Sequence, residues 1–85
     1  MPSIERFLND SGLVQQWPKK LADKRLVLSY LVTKFDFDHS YHEREVNEIL
    51  KQWHTFSDWP LLRRELFEQD FLERNRSGTD YRRLI

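Results

Sequence analysis

The C-terminal part of the sequence places a helix candidate directly before a short, arginine-bearing hairpin. The helix candidate spans 58–69, with Asp58 as a favourable N-cap and Pro60 in the first turn, where a missing N–H costs little. The turn-forming stretch 77–80 then separates two runs that contain strand-favouring aromatic residues or leucines. A helix followed by a short basic hairpin is the layout of a winged helix, and no other feature of the sequence limits the fold as much.

Two earlier stretches, 21–35 and 43–54, have the spacing of amphipathic helices. Apolar residues fall at i, i+3, i+4 and i+7 in each, so that one face of each helix can be buried. The residues are Leu28, Leu31, Val32 and Phe35 in the first stretch, and Val46, Ile49, Leu50 and Trp53 in the second. The sequence therefore predicts three core helices, with a loop at 36–40 and a turn at 55–57.

Residues 1–17 are predicted to form an N-terminal arm. Ser3 can cap a short helix that Gly12 ends, and Trp17 is expected to be extended because it precedes Pro18. A chain of 85 residues has room for one domain with one modest core. We expect a single winged-helix-like domain over 1–85, of the α+β class and mainly helical, with a helical core at 21–70 and a wing hairpin at 71–85.

Charge is balanced over the chain, with 14 basic and 14 acidic residues, so any attraction to a polyanion must be local. From Trp59 onward six arginines face five carboxylates, which leaves a charge of only +1. These arginines are the candidate nucleic-acid-binding residues: Arg63 and Arg64 on the helix, and Arg74, Arg76, Arg82 and Arg83 on the wing. The alternative is that they pair with neighbouring glutamates and serve solubility.

The sequence offers little for catalysis, cofactors or metals. It has no cysteine and only two glycines, and it contains no nucleophile motif or phosphate-cradling loop, so neither an enzyme nor a cofactor is expected. Asp36, Asp38, His39 and His42 are metal-ligand types, but their spacing fits no known motif and a solvated loop is expected instead. Tyr81 and the three tryptophans are expected to pack in the core.

No apolar signal core begins the sequence, and the longest apolar run that stands out is Leu26-Val27-Leu28. Because a membrane span needs about 20 apolar residues, a cytoplasmic protein without a membrane segment is expected.

Several stretches together resemble DUF2087, a family of small bacterial domains associated with transcriptional regulators. The resemblance covers almost the whole chain and rests on Gly12-Leu13, Pro18-Lys19, 26–35, Tyr41, Glu43, Glu45-Val46-Asn47, Ile49-Leu50, Leu62-Arg63-Arg64-Glu65-Leu66, Phe71-Leu72-Glu73-Arg74, Gly78 and Tyr81-Arg82. It implies a winged-helix-like fold and a role in transcription. His42 departs from the pattern, because the family usually has a threonine-like cap there.

These observations lead to three functional hypotheses. The first is a winged-helix regulator that binds double-stranded DNA, with its third helix in the groove and its wing on the backbone. A homodimer is expected, because one small module buries little surface. The second is an adaptor that binds a protein partner through the same fold. The third is an RNA-binding module, which arginine and aromatic contacts would serve equally well.

Overall fold

The computed structural model describes residues 3–85 and contains three α-helices and one small sheet. A 3₁₀ helix at Ile4–Phe7 is followed by α1 (Leu21–Val32), β1 (Tyr41–His42), α2 (Glu43–Gln52), α3 (Trp59–Glu68), β2 (Leu72–Arg74) and β3 (Asp80–Arg83). The strands form an antiparallel sheet in the order β1-β3-β2. The fold is mainly helical α+β, as predicted, and its element order is that of a winged helix. Within residues 3–85 no helix has the length and apolar character needed to cross a membrane.

All three predicted core helices are present, and their ends differ from the predicted ones by a few residues. The largest difference is at α1, which ends at Val32. The backbone N–H groups of Thr33, Lys34 and Phe35 bond to carbonyls three residues earlier, at 3.0–3.2 Å, and so tighten the chain into a 3₁₀-like turn. Phe35 is still buried, so the apolar spacing predicted its burial correctly although Phe35 lies beyond the end of the helix.

Strand β1 was not predicted from the sequence. Tyr41 pairs with Tyr81 of β3 and His42 pairs with Asp80, so the hairpin is extended to three strands. The Tyr41 ring is buried edge-on against Phe35, with ring centroids 5.2 Å apart, and its hydroxyl accepts the backbone N–H of Asp36 at 2.7 Å. A two-residue strand is too short for an alternating pattern to show in the sequence.

His42 provides the cap of α2 that the sequence had left uncertain. Its Nδ1 accepts the backbone N–H of Arg44 at 3.2 Å, and its own N–H donates to Glu45 Oε1 at 3.1 Å. This is the reciprocal arrangement of a capping box, with an imidazole in place of the usual hydroxyl.

The core is one continuous cluster that all elements contribute to. Its buried members are Phe7, Val14, Val27, Leu28, Leu31, Val32, Phe35, Tyr41, Val46, Leu50, Leu62, Leu66, Phe71, Leu72 and Tyr81. Burying each large side chain contributes about 1.5–3 kcal/mol relative to leaving it in water. The three tryptophans lie at the edge of this cluster, partly buried, in agreement with the packing role expected for them.

The N-terminal arm is attached to the core by backbone hydrogen bonds. The Val14 N–H donates to the Trp53 carbonyl at 2.8 Å, and the Val14 carbonyl accepts the N–H of Thr55 at 2.9 Å. Gly12 takes a φ of +80°, which only glycine adopts without strain, and its carbonyl accepts the hydroxyl of Tyr30 at 2.6 Å. Val14 therefore pairs like a strand residue with the segment that connects α2 to α3.

Candidate nucleic-acid interface

Helix α3 begins as the sequence predicts and presents a narrow solvent-exposed face. Asp58 is its N-cap and accepts the backbone N–H of Leu61 at 3.3 Å. Pro60, Arg64 and Glu68 are exposed, whereas Leu61 is half-buried. Arg64 Nε lies 3.9 Å from Glu68 Oε1, one helical turn away, so the single basic residue on this face has an acidic neighbour. The exposed face of α3 is therefore close to neutral.

Arg63 points in a different direction from its chain neighbour Arg64. Its Nε lies 3.4 Å from Glu43 Oε1, and its Nη1 donates to Asn47 Oδ1. Only 22% of its side chain is exposed. Arg63 therefore links α3 to α2, and its guanidinium group is occupied within the protein rather than displayed beside that of Arg64.

The wing turn is built around Asn75. Its side-chain Oδ1 accepts the backbone N–H groups of Thr79 at 2.9 Å and Asp80 at 3.2 Å, while its carbonyl accepts that of Gly78 at 3.0 Å. Gly78 has a φ of +71°, a conformation that L side chains rarely adopt. These contacts close the predicted hairpin and leave Arg76 exposed at its tip.

Strand alternation separates the remaining wing arginines. Leu72 is opposite Arg83 and Arg74 is opposite Tyr81, and these two pairs share the face that carries the buried Leu72 and Tyr81. Glu73 is opposite Arg82 on the other face, which is exposed to solvent. The arginines of the wing therefore do not form one strip.

Arg83 is held against the core by several contacts. Its Nη1 donates to the Phe35 carbonyl at 2.9 Å, its Nε donates to the Ile85 carbonyl at 2.6 Å, and its guanidinium carbon lies 3.9 Å from the Phe37 ring centroid. Arg74 is more exposed, but its guanidinium stacks 4.0 Å above the Phe67 ring of α3. Arg83 thus has intramolecular partners comparable to those of Arg63, while Arg74 is a stacked but accessible cation.

A shallow groove of about 330 Å³ lies along the wing. Arg74 and Arg82 line it together with Glu73 and Asp80, and polar Ser40 and Asn75 complete it. Two cations and two carboxylates leave this wing groove without net charge. It can form paired hydrogen bonds with a polar ligand, but it does not concentrate positive potential.

Tyr81 and His54 are both buried, and Tyr81 has the packing role that the sequence predicted for it. Tyr81 is 1% exposed, and it packs beneath the wing as expected. His54 is also buried, and its Nδ1 lies 2.5 Å from the carbonyl oxygen of Leu50, at the end of α2. Its Nε2 accepts the N–H of Asp58 at 2.9 Å, which leaves Nδ1 as the donor to the Leu50 carbonyl. One imidazole therefore connects the end of α2 to the cap of α3.

The loop with metal-ligand residue types is used for other contacts. The His39 ring lies 4.3 Å from that of Tyr41, and His42 caps α2 as described. In the part of the chain that the structure describes, 3–85, no three histidine, cysteine or acidic residues come together as a metal site would require.

Comparison with known families identifies the family to which the chain belongs. The model of DUF2087, described as an uncharacterised protein conserved in bacteria, matches residues 13–83. The chain belongs to the DUF2087 family. The matched region contains all three α-helices and the whole three-stranded sheet. No curated protein and no solved structure gives a significant match to this family member.

The structure therefore divides the six predicted arginines into two groups. Arg63 and Arg83 have intramolecular partners, and the accessible ones are Arg64, Arg74, Arg76 and Arg82. The pairing of Arg63 with Glu43 joins α3 to α2, so no spacing within the sequence could have revealed it. Contact with nucleic acid stays a prediction, and it now concerns these four residues. Arg64 has an acidic neighbour on α3, and Arg74 and Arg82 line a groove together with two carboxylates.

Proposed function

We propose that this domain contacts double-stranded DNA, mainly through its wing, as a non-enzymatic part of a transcriptional regulator. The observation that supports the proposal is the winged-helix element order, in which a hairpin with an exposed arginine at its tip, Arg76, follows a helix that has an exposed face. Because one fold serves many functions, the exposed side chains must also fit the proposed ligand. The accessible arginines supply the chemistry, since guanidinium groups bind phosphates through paired hydrogen bonds.

The contact we propose is weak and strongly salt-dependent. Glu68, Glu73 and Asp80 lie among the accessible arginines and offset much of their charge. Non-specific DNA binding has dissociation constants of about 10⁻⁴–10⁻⁶ M at physiological salt, and we expect a value at the weak end of this range, about 10⁻⁴ M. Recognition of a defined site would need a second copy of the domain or another module.

The test is fluorescence anisotropy with a labelled random-sequence duplex over a salt series. Each phosphate contact adds about 0.9 to the slope of log affinity against log salt, so four arginines predict a slope no steeper than about −4. Replacing Arg76 and Arg82 together by alanine should reduce the slope by about 2. The matched control, Lys19→Ala with Lys20→Ala, removes the same charge from the N-terminal side of α1 and should leave the slope unchanged. A slope near zero in the wild type would refute DNA binding.

A protein-interaction adaptor is the second candidate, and one surface feature favours it. Phe37, Leu84 and Ile85 are 45–54% exposed, and Arg83 contacts both the Phe37 ring and the Ile85 carbonyl, so exposed apolar residues from two parts of the chain lie near Arg83. Size-exclusion chromatography with light scattering tests whether this patch supports self-association. A dimer lost on Phe37→Ser with Leu84→Ser, together with a flat DNA salt slope, would favour the adaptor. Duplex RNA in the same anisotropy series separates the RNA-binding alternative.

A further inference from the structure

A second groove lies between the 3₁₀ helix and the start of α1, and it shares no residue with the wing groove. We call it the N-terminal groove. It encloses about 430 Å³ and is lined by apolar Phe7, Trp17 and Pro18 and by charged Arg6, Lys19, Lys20 and Asp23. An apolar floor with charged residues at the rim is the usual composition of a site that anchors a short peptide.

The apolar part of the N-terminal groove is firmly positioned. Phe7 and Pro18 are buried, and Trp17 is half-buried against the core, which leaves one part of the indole open to the groove. Because Trp17 precedes a proline, its backbone is restricted to extended angles. This backbone restriction and the packing of the indole against the core both lower the entropy cost of binding a side chain there.

The charged part of the groove is positive. Arg6 pairs with Asp23, so the groove's single carboxylate is already neutralised. Lys19 and Lys20 are exposed, and within residues 3–85 neither has a carboxylate oxygen within 4.0 Å. Two cations thus remain without a counter-charge at the rim of an apolar groove.

The position of these lysines is unfavourable for the helix itself. Lys20 is the N-cap of α1, and its side chain caps none of the helix's first N–H groups. Cations are disfavoured at this end because the backbone N–H groups already carry partial positive charge. A departure from local helix preferences is expected where a residue serves binding rather than folding.

We propose that the N-terminal groove binds an acidic peptide segment of a partner protein. An apolar side chain of the segment packs on Trp17, and its carboxylates meet Lys19 and Lys20. The charge of the rim selects a negative partner, and the apolar floor selects one with a hydrophobic anchor, which a nucleic-acid backbone lacks. This surface goes beyond the DNA contact proposed above and provides the domain with a second, independent binding site.

The test uses a fluorescein-labelled synthetic peptide, acetyl-EDEFDELED-amide, and fluorescence polarisation. Reversing charge at the rim with Lys19→Glu and Lys20→Glu should weaken binding by about tenfold or more, because two attractive contacts become repulsive. Arg76→Glu with Arg82→Glu makes the same change in net charge on the wing, and it should alter peptide binding by about twofold at most. Acidic residues at the start of a helix stabilise it, so the first variant should melt no lower than the wild type.

A second measurement maps binding on the unmodified protein. In ¹⁵N-labelled wild type, the peptide should shift the indole N–H of Trp17 and the backbone amides of 19–23, with little change in 74–82. No binding, equal loss in both charge-reversed variants, or groove shifts caused by duplex DNA instead of the peptide would each overturn the proposal. Because the wing variant is the one that should lose DNA binding, failure of either site is distinguishable from failure of the other.

Discussion

Arg63 and Arg64 are neighbours in the chain, and replacing each by alanine should have very different effects on stability. Both substitutions remove one positive charge from α3. The Arg63 side chain is 22% exposed and is engaged with both Glu43 and Asn47, whereas that of Arg64 is 63% exposed and has one acidic neighbour at 3.9 Å. The difference in free energy of unfolding between the two variants therefore reports which guanidinium group is part of the packing.

The expected magnitudes follow from these contacts. A hydrogen bond to a charged group contributes about 1.5–3 kcal/mol and a partly exposed ion pair up to about 1 kcal/mol, so Arg63→Ala should destabilise by about 2–3 kcal/mol. An exposed i,i+4 pair is worth about 0.3–0.5 kcal/mol, so Arg64→Ala should change stability very little. In a domain of this size 1 kcal/mol shifts Tm by about 4–8 °C, which makes the two variants easy to separate.

Urea unfolding followed by circular dichroism measures both free energies. Asn47→Ala, alone and combined with Arg63→Ala, completes a double-mutant cycle in which a coupling energy of about 1 kcal/mol or more is expected for the contacting pair. If Arg63→Ala and Arg64→Ala differed by less than about 0.5 kcal/mol, the packing role assigned to Arg63 would be refuted.

Three further substitutions, one of them with a matched control, test other contacts within the fold. His54→Ala should lower the free energy of unfolding by about 2–4 kcal/mol, because it removes two hydrogen bonds and a buried ring. His39→Ala, at an exposed position, is the control and should lower it by under about 1 kcal/mol, and thermal melts compare the two variants. Gly12→Ala should destabilise by about 1–2 kcal/mol in urea unfolding, since φ is +80° and an added Cβ would lie 3.3 Å from the Tyr30 hydroxyl. Asn75→Ala should leave the helices folded but raise amide exchange across 75–80, and unchanged exchange would contradict the role given to this side chain.

The helices could be predicted because apolar residues at helical spacing mark the face of each helix that packs against the core. Val46 and Leu50 are spaced for one helix face, and both are fully buried in α2. Asp58 and Pro60 likewise marked the start of α3 within one residue. Strand β1 could not be predicted in this way, since two residues contain no period and the pairing of Tyr41 with Tyr81 joins distant parts of the chain.

The directions of the arginine side chains were the part that the sequence could not supply. Adjacent strand residues such as Arg82 and Arg83 always point to opposite faces, but which of the two faces the core depends on the pairing register, because a shift of one residue moves every side chain to the other face. Arg63 depends on tertiary packing in the same way, because Asn47 lies 16 positions earlier in the chain. The residue types were informative about chemistry, whereas their partners followed only from the fold.

The most direct test of DNA binding through the wing is an NMR titration of ¹⁵N-labelled protein with a random-sequence DNA duplex at low salt. Binding at this surface predicts shifts in the backbone amides of 74–82 and of Arg64, near the accessible guanidinium groups. It predicts little change at Asn47 and Arg63, where α2 meets α3. Shifts confined to the N-terminal groove, or no shifts in the wing at saturating DNA, would contradict it.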